Sequence, residues 1–238
     1  IIHHTYTNVD GVDDDIARSP LMRQCQSQVW KPAHKYQHIY VVFLYAISSL
    51  AWAAYLDFDK YFKKKVNNTP MQNMTTNDHI VFWVSKLLYA FFYIALPIMV
   101  VGFVPWLVGY LVMEIVLGFV LAIVFQLAHV VEETEFEYAG PNEALLIENE
   151  WAVHQVKTTS NFAPRNKIVS WFAGGLNYQV EHHLFPRISH IHYPAISKIV
   201  EAKCKEYKLP YNSIKTMRAA IVSHFKMMKQ MGQPPQTA

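Results

Sequence analysis

The sequence predicts an all-α fold: an integral membrane helical protein in which a transmembrane hairpin carries a cytosolic, histidine-rich cap. Three observations lead there. Residues 80–101 and 106–127 are apolar runs long enough to cross a hydrocarbon core of about 30 Å, and only 102–105 separate them. The chain is 52% hydrophobic and 14% aromatic, too apolar for an ordinary soluble domain and too mixed for spans alone. Twelve histidines occur in 238 residues, and two adjacent pairs, His3-His4 and His182-His183, lie near opposite ends of the apolar middle.

In chain order, the first pair is followed by Asn8-Val9-Asp10-Gly11-Val12-Asp13-Asp14-Asp15. This acidic stretch lacks the closing Glu of a calcium loop, so a solvated loop that caps the next helix is expected. Residues 18–36 are polar, and His34 and His38, at helical spacing, read as interfacial side chains. Residues 39–56 are apolar but borderline in length, contain Ser48 and Ser49, and are followed by Asp57, Asp59 and Lys60. If both histidine pairs serve one centre they lie on one side of the membrane, so an even number of crossings separates them. That makes 80–101 and 106–127 the spans and 39–56 an interfacial or re-entrant segment. Lysines 31, 35, 60, 63, 64 and 65 fall on the histidine side and the 102–105 turn is uncharged, which puts the histidines in the cytosol. Within the spans, Lys86 is close enough to a helix end to snorkel, and Glu114 is deep enough that it should face protein.

His129 stands where the second span leaves the membrane. Glu132, Glu133, Glu135 and Glu137 contain no Glu-x-x-His and read as a solvated face. A helical segment begins at Trp151, carries His154 as a second candidate near the site, and breaks at 161–165. Gly174-Gly175 permits a turn just before Asn177-Tyr178-Gln179-Val180-Glu181-His182-His183-Leu184-Phe185-Pro186. On a helix Gln179, His182 and His183 share one face, with Val180 and Glu181 turned aside. One histidine pair alone is equally well a core residue beside an exposed one. Two pairs favour a metal, since neutral imidazole suits iron, zinc and copper. Beyond the pair, Arg187, His190, His192 and Lys198 form a cationic patch where an anionic head group such as coenzyme A phosphates could dock. Two amphipathic helices follow between 194 and 231, broken at Leu209-Pro210, with Ile214, Met217, Ile221, Phe225 and Met228 as one stripe. Cys25 and Cys204 are too isolated for a disulfide framework or a zinc ribbon, and a net charge of +3 offers no strongly basic face for nucleic acid.

Gln179-Val180-Glu181-His182-His183 followed by Leu184-Phe185-Pro186 resembles the third histidine box of front-end membrane fatty-acid desaturases, with Gln in place of the first His. Ile1-Ile2-His3-His4-Thr5-Tyr6-Thr7-Asn8 resembles the end of their second box, especially in the bacterial linoleoyl-CoA desaturase-like branch. The resemblance runs through nearly the whole chain, so residues 1–238 are expected to form a single membrane fatty-acid desaturase domain. They would be a C-terminal fragment lacking the first histidine box. It implies a di-iron centre in the cap, with His3, His4, His182 and His183 catalytic, and His3, His4, His129, His182, His183 and Gln179 as metal ligands. His129 matches an additional ligand at the cytosolic end of the last span; Phe125 stands where related enzymes have an Asn. The Gln179 amide oxygen is a weaker ligand than imidazole and could instead orient a neighbour or hold a water.

The implied reaction is O2-dependent insertion of a cis double bond into a fatty acyl chain, as acyl-CoA or acyl-lipid, at the Δ6 or Δ5 position. Electrons would come from an external partner, ferredoxin or cytochrome b5, because no Cys-x-x-Cys, haem or flavin fingerprint is visible. A membrane di-iron hydroxylase and a non-enzymatic metal-binding membrane protein are the alternatives. Composition and spacing by themselves support only a membrane protein with a histidine metal site.

Overall fold

A computed structural model describes residues 2–16, 19–66, 69–139 and 149–235; Arg18, where the polar stretch begins, lies outside them. The α-helices are α1 (Ile2–Thr5), α2 (Gln37–Ala46), α3 (Ser48–Ala51), α4 (Asp57–Lys63), α5 (Thr76–Tyr89), α6 (Leu96–Val101), α7 (Phe103–His129), α8 (Trp151–Thr158), α9 (Lys167–Phe172), α10 (Gln179–Leu184), α11 (Tyr193–Glu206) and α12 (Met217–Met231). Strand is confined, among the described residues, to three two-residue pairs. β1 (Val9–Asp10) and β4 (Glu137–Tyr138) pair in parallel, β2 (Lys65–Val66) and β3 (Thr69–Pro70) antiparallel, and β5 (Asn161–Phe162) and β6 (Ser213–Ile214) in parallel. The chain divides into two compact units, Phe43–Ala122 and the combination of Ile1–Val42 with Ile123–Ala238.

In the first of these, Thr75 caps α5: its hydroxyl accepts from the Asp78 amide while the Asp78 carboxylate accepts from the Thr75 amide at 2.7 Å. α5 continues through a wide π turn, Ala90–Ala95, into α6, giving one helical rod, Thr76–Val101. The irregularity has a local cause. Pro97 has no amide hydrogen for the Tyr93 carbonyl, and the Trp106 indole donates to that carbonyl instead, at 2.8 Å. Gly102, at φ +84°, makes the reversal alone. The expected 102–105 turn is therefore shorter than read, because Pro105 sits in the first turn of α7, where a missing amide costs nothing. Thr76–Val101 and Phe103–His129 are both long and apolar enough to cross a membrane.

Glu114 faces protein, as its depth required: it is buried and accepts from Ser49 Oγ at 2.6 Å and Tyr89 Oη at 2.7 Å. The Lys86 ammonium meets Asp57 at 2.6 Å and the Ala53 carbonyl at 3.3 Å, so its charge is paired with the carboxylate that follows the 39–56 stretch. The 39–56 stretch is broken at Ile47, and helical segments Pro32–Ala46 and Ser48–Lys63 meet at 63°. Ser48 donates back to the Tyr45 carbonyl at 2.8 Å, a bond that accompanies helix bending.

The other unit is built on α8, α10 and α11, whose Val156, Val180, Val200 and Cys204 pack together. Asn161, on β5, donates to Glu181 at 2.9 Å and Tyr211 at 2.8 Å and accepts from the Val180 amide at 2.9 Å, which fixes the start of α10. Burial pushes the Glu181 carboxyl above its ordinary range, and hydrogen bonds, including those from the Tyr211 hydroxyl and the Asn161 amide, oppose that. Val180 and Glu181 are thus turned aside into a second buried layer rather than into solvent.

Three expectations change here. His34 is buried, not interfacial: one ring nitrogen accepts from the Lys31 amide and the other meets the Pro20 carbonyl, both at 3.1 Å, which closes the turn before α2. Ile214 belongs to β6. α12 starts only at the Thr216 cap and buries Ala220, Ser223, His224, Met227, Met228 and Met231, so the apolar stripe read from sequence is partly rotated away from the core. The 8–15 stretch is not solvated, since Asn8, Asp10 and Asp13 are all buried.

Gly174 and Gly175, at φ +57° and +79°, form the turn before α10, and a Cβ on Gly175 would lie 2.5 Å from His190 Cβ. Gly175→Ala is expected to cost about 1–3 kcal/mol in backbone strain, with the clash in addition. Gly174→Ala, whose Cβ meets open space, should lower the melting temperature less; equal melting temperatures would count against this account.

Candidate metal centre

Three elements deliver the site. α1 carries His3 and His4, α7 ends on His129, and α10 carries Gln179, His182 and His183. Asn8 holds the first of these against the others: its amide donates to the carbonyls of His129 at 2.8 Å and Thr158 at 3.1 Å. The rings of His3, His129 and His183 then stand 4.7 to 5.1 Å apart between centroids. One nitrogen from each lies within 4.8 Å of the others. His4 stacks on His183 at 4.2 Å and meets His182 edge-on at 4.8 Å.

The nitrogens divide into two sets. His3 Nδ1 meets Asp13 at 3.0 Å, His183 Nδ1 meets Gln155 Oε1 at 2.7 Å, and His129 Nε2 meets the Gln179 amide nitrogen at 3.0 Å. The opposite nitrogens, His3 Nε2, His183 Nε2 and His129 Nδ1, are buried without a hydrogen-bond partner, as is His4 Nδ1. Leaving such a group unsatisfied costs about 1–3 kcal/mol each, and finding four in one cluster is hard to reconcile with a purely structural role. Unpartnered ring nitrogens gathered in one dry place suit a metal ion, provided the Gln179 carboxamide turns its oxygen to His129 Nε2 so that His129 Nδ1 keeps its lone pair; on those terms the residues present fit one.

Charge points the same way. Burial, and secondarily the neighbouring imidazoles, hold His183 well below the ordinary histidine range. The same causes bring His4 down to about 4 and lower His182. These rings are neutral at pH 7, the form in which imidazole is a ligand.

Comparisons with known proteins give the family. The "Fatty acid desaturase" family description matches residues 1–215. The chain belongs to the fatty acid desaturase family. It is 39% identical to an acyl-lipid (8-3)-desaturase of Physcomitrium patens, covering 97% of this chain and 48% of the relative. It is 36% identical to an sn-1 linoleoyl-lipid 6-desaturase of Arthrospira platensis, covering 100% and 64%. Identity to a Delta(5) fatty acid desaturase A of Dictyostelium discoideum is 34%, covering 98% and 51%. The chain therefore spans from about half to somewhat under two thirds of the length of these curated relatives. No solved structure matches it.

Within this chain, all six residues singled out from sequence meet in one place: His3, His4, His129, His182, His183 and Gln179. Gln179 does so through the ring of His129, and its carboxamide can present either end to that ring. Phe125 supplies an apolar wall, its ring 5.2 Å from that of His3 and 4.9 Å from that of His129. His154 is engaged elsewhere, with the Thr7 carbonyl at 2.8 Å and Glu137 at 3.2 Å. Its neighbour Gln155 is the α8 residue that reaches the site. Sequence reasoning missed Gln155 and Asp13. The available signal was their proximity to His154 and to the first pair, which is weak without knowing which way each side chain points. The acidic run is split, with Glu132, Glu133 and Glu135 exposed while Glu137 turns toward His154.

Proposed function

We propose that this chain forms the histidine-bearing part of a front-end desaturase that inserts a cis double bond at Δ6 or Δ5 of an acyl chain carried on a membrane lipid. Support comes from the curated relatives' names, which specify acyl-lipid and linoleoyl-lipid substrates. The observation that carries the reading is the convergence of His3, His129 and His183 on one buried point, each offering an unpartnered nitrogen.

In this reading the protein is multi-pass, with Thr76–Val101 and Phe103–His129 crossing the bilayer and the histidines on the cytosolic face, within reach of a ferredoxin or cytochrome b5 donor. His3, His4, His129, His182 and His183 hold two irons together with ligands from elsewhere in the protein, and Gln179 orients His129. The chemistry supplied when iron is bound is activation of O2, which removal of hydrogen from unactivated methylenes demands. The chain's own part is to keep the imidazoles neutral by burial, fix their orientation and keep water out. The Phe125 wall against His3 and His129 does the last of these.

The test is to express the full reading frame in a host fed linoleate and analyse membrane lipids by gas chromatography and mass spectrometry. A new triene with its extra bond at Δ6, appearing in glycerolipid before the acyl-CoA pool, is expected. A hydroxylated acid would reassign the reaction to the related hydroxylase. An unchanged profile from iron-loaded protein with a competent donor would overturn the assignment of substrate.

A further inference from the structure

We infer that Gln155 and Asp13 are positioning residues, each holding the Nδ1 side of one histidine so that Nε2 is the atom presented to metal. The inference rests on the reading of His3 and His183 as ligands. It adds that the choice of nitrogen, and the ring's orientation, are set by two residues outside the histidine motifs.

Gln155 lies on α8 with no exposure, and its Oε1 is 2.7 Å from His183 Nδ1. With Gln155 turned so that its oxygen meets the ring, that oxygen accepts, Nδ1 carries the hydrogen and Nε2 keeps its lone pair. The Thr7 hydroxyl stands beside both, 2.8 Å from Gln155 Oε1 and 3.1 Å from His183 Nδ1, and 2.6 Å from the His3 carbonyl. It therefore links the two histidine-bearing segments.

Asp13 does the equivalent for His3. It is 1% exposed, and its carboxylate is surrounded by donors: His3 Nδ1 at 3.0 and 3.2 Å, the Asn8 amide at 2.9 Å and the Asp15 amide at 3.0 Å. Asp15 adds a second carboxylate 3.2 Å from the same ring nitrogen. Again the hydrogen sits on Nδ1, and His3 Nε2 is the buried nitrogen without a partner. In both rings the partnered nitrogen faces the supporting residue, and the other is buried without a partner in a group of three histidines. Independent core packing gives no reason for that coincidence. Supporting groups of this kind raise ligand basicity, and their loss typically weakens metal binding about 10–100-fold.

The test uses purified full-length protein in nanodiscs, loaded with iron or with cobalt(II) as a spectroscopic probe. Wild type is compared with Gln155→Leu, Gln155→Glu, Asp13→Leu and His183→Ala. The readouts are the rate of metal loss to a chelator, the cobalt visible spectrum and the melting temperature of the metal-free form. Gln155→Leu and Asp13→Leu are expected to lose metal about 10–100-fold faster and to shift the cobalt bands, with metal-free melting of Gln155→Leu close to wild type. Gln155→Glu keeps an acceptor oxygen at Nδ1 and should restore retention, which a role in packing alone would not produce.

Wild-type retention in Gln155→Leu and Asp13→Leu, with loss in His183→Ala, would overturn the inference and leave the ligand reading standing. Wild-type retention in His183→Ala would overturn both. Should Gln155→Leu fail to fold, Gln155→Glu against Gln155→Asn, one methylene too short to reach Nδ1, gives the same contrast.

Discussion

His183→Ala is expected to take formation of the new double bond below detection, on the order of 10³-fold or more, because it deletes the imidazole common to both halves of the cluster. His183 contacts His3 and His129 at ring distances of 5.1 and 4.9 Å and stacks on His4 at 4.2 Å, so its removal opens every neighbour at once. His129→Ala should behave alike. Gln179→Ala removes only the partner of His129 Nε2 and is expected to reduce product about 10–100-fold while leaving measurable iron. The check is product by mass spectrometry alongside iron per chain. If His183→Ala makes product at the wild-type level, the site is elsewhere. If Gln179→Ala is as severe as His183→Ala in both product and iron, Gln179 is itself a ligand.

Acid should destabilise the metal-free protein, with His224 as a main contributor. This ring is fully buried on α12, donates Nδ1–H to the Val130 carbonyl at 2.7 Å, and is pushed down to about 4 by burial, an effect the hydrogen bond partly opposes. In the unfolded chain it titrates near 6.5. Between those values the unfolded state binds the extra proton, so stability falls as pH drops from about 6.5 toward 4. Above 6.5 the ring makes no difference, and below 4 the loss is complete. For His224 alone this amounts to about 3 kcal/mol. His183 and His4 act in the same direction, while Glu181, raised by burial, partly offsets them by taking up a proton in the folded state. Denaturant unfolding of the metal-free chain from pH 7.5 to 4.5 measures the slope, and His224→Gln, which retains a donor for Val130, should flatten it. An identical slope in that variant would remove His224 from the explanation.

What could be read from sequence was whatever depends on neighbours along the chain. The two long apolar helices follow from uninterrupted runs and the Gly102 reversal. The shared face of Gln179, His182 and His183 follows from helical spacing, and the position of His129 from the end of an apolar run. Glu114 had to find protein partners because a carboxylate at that depth cannot face lipid.

Other features depended on residues that sequence does not bring together. Asp13 looked like part of a solvated loop until β1 paired with β4, joining Val9 to Glu137 and turning the 8–15 stretch inward onto His3. His154 was the α8 side chain that the sequence offered for a supporting or substrate-facing place. Which of two adjacent side chains points at His183 depends on the rotation of a short helix against partners distant in the chain, and packing chose Gln155. Lys86 had two ways to satisfy its charge, and only the fold places Asp57 within 2.6 Å. The sequence by itself determined which groups could bind metal and that they lie beside helices able to span a bilayer. The tertiary structure decided which nitrogen of each ring is left open, because that choice is made by hydrogen-bond partners such as Gln155, 28 positions from His183 along the chain.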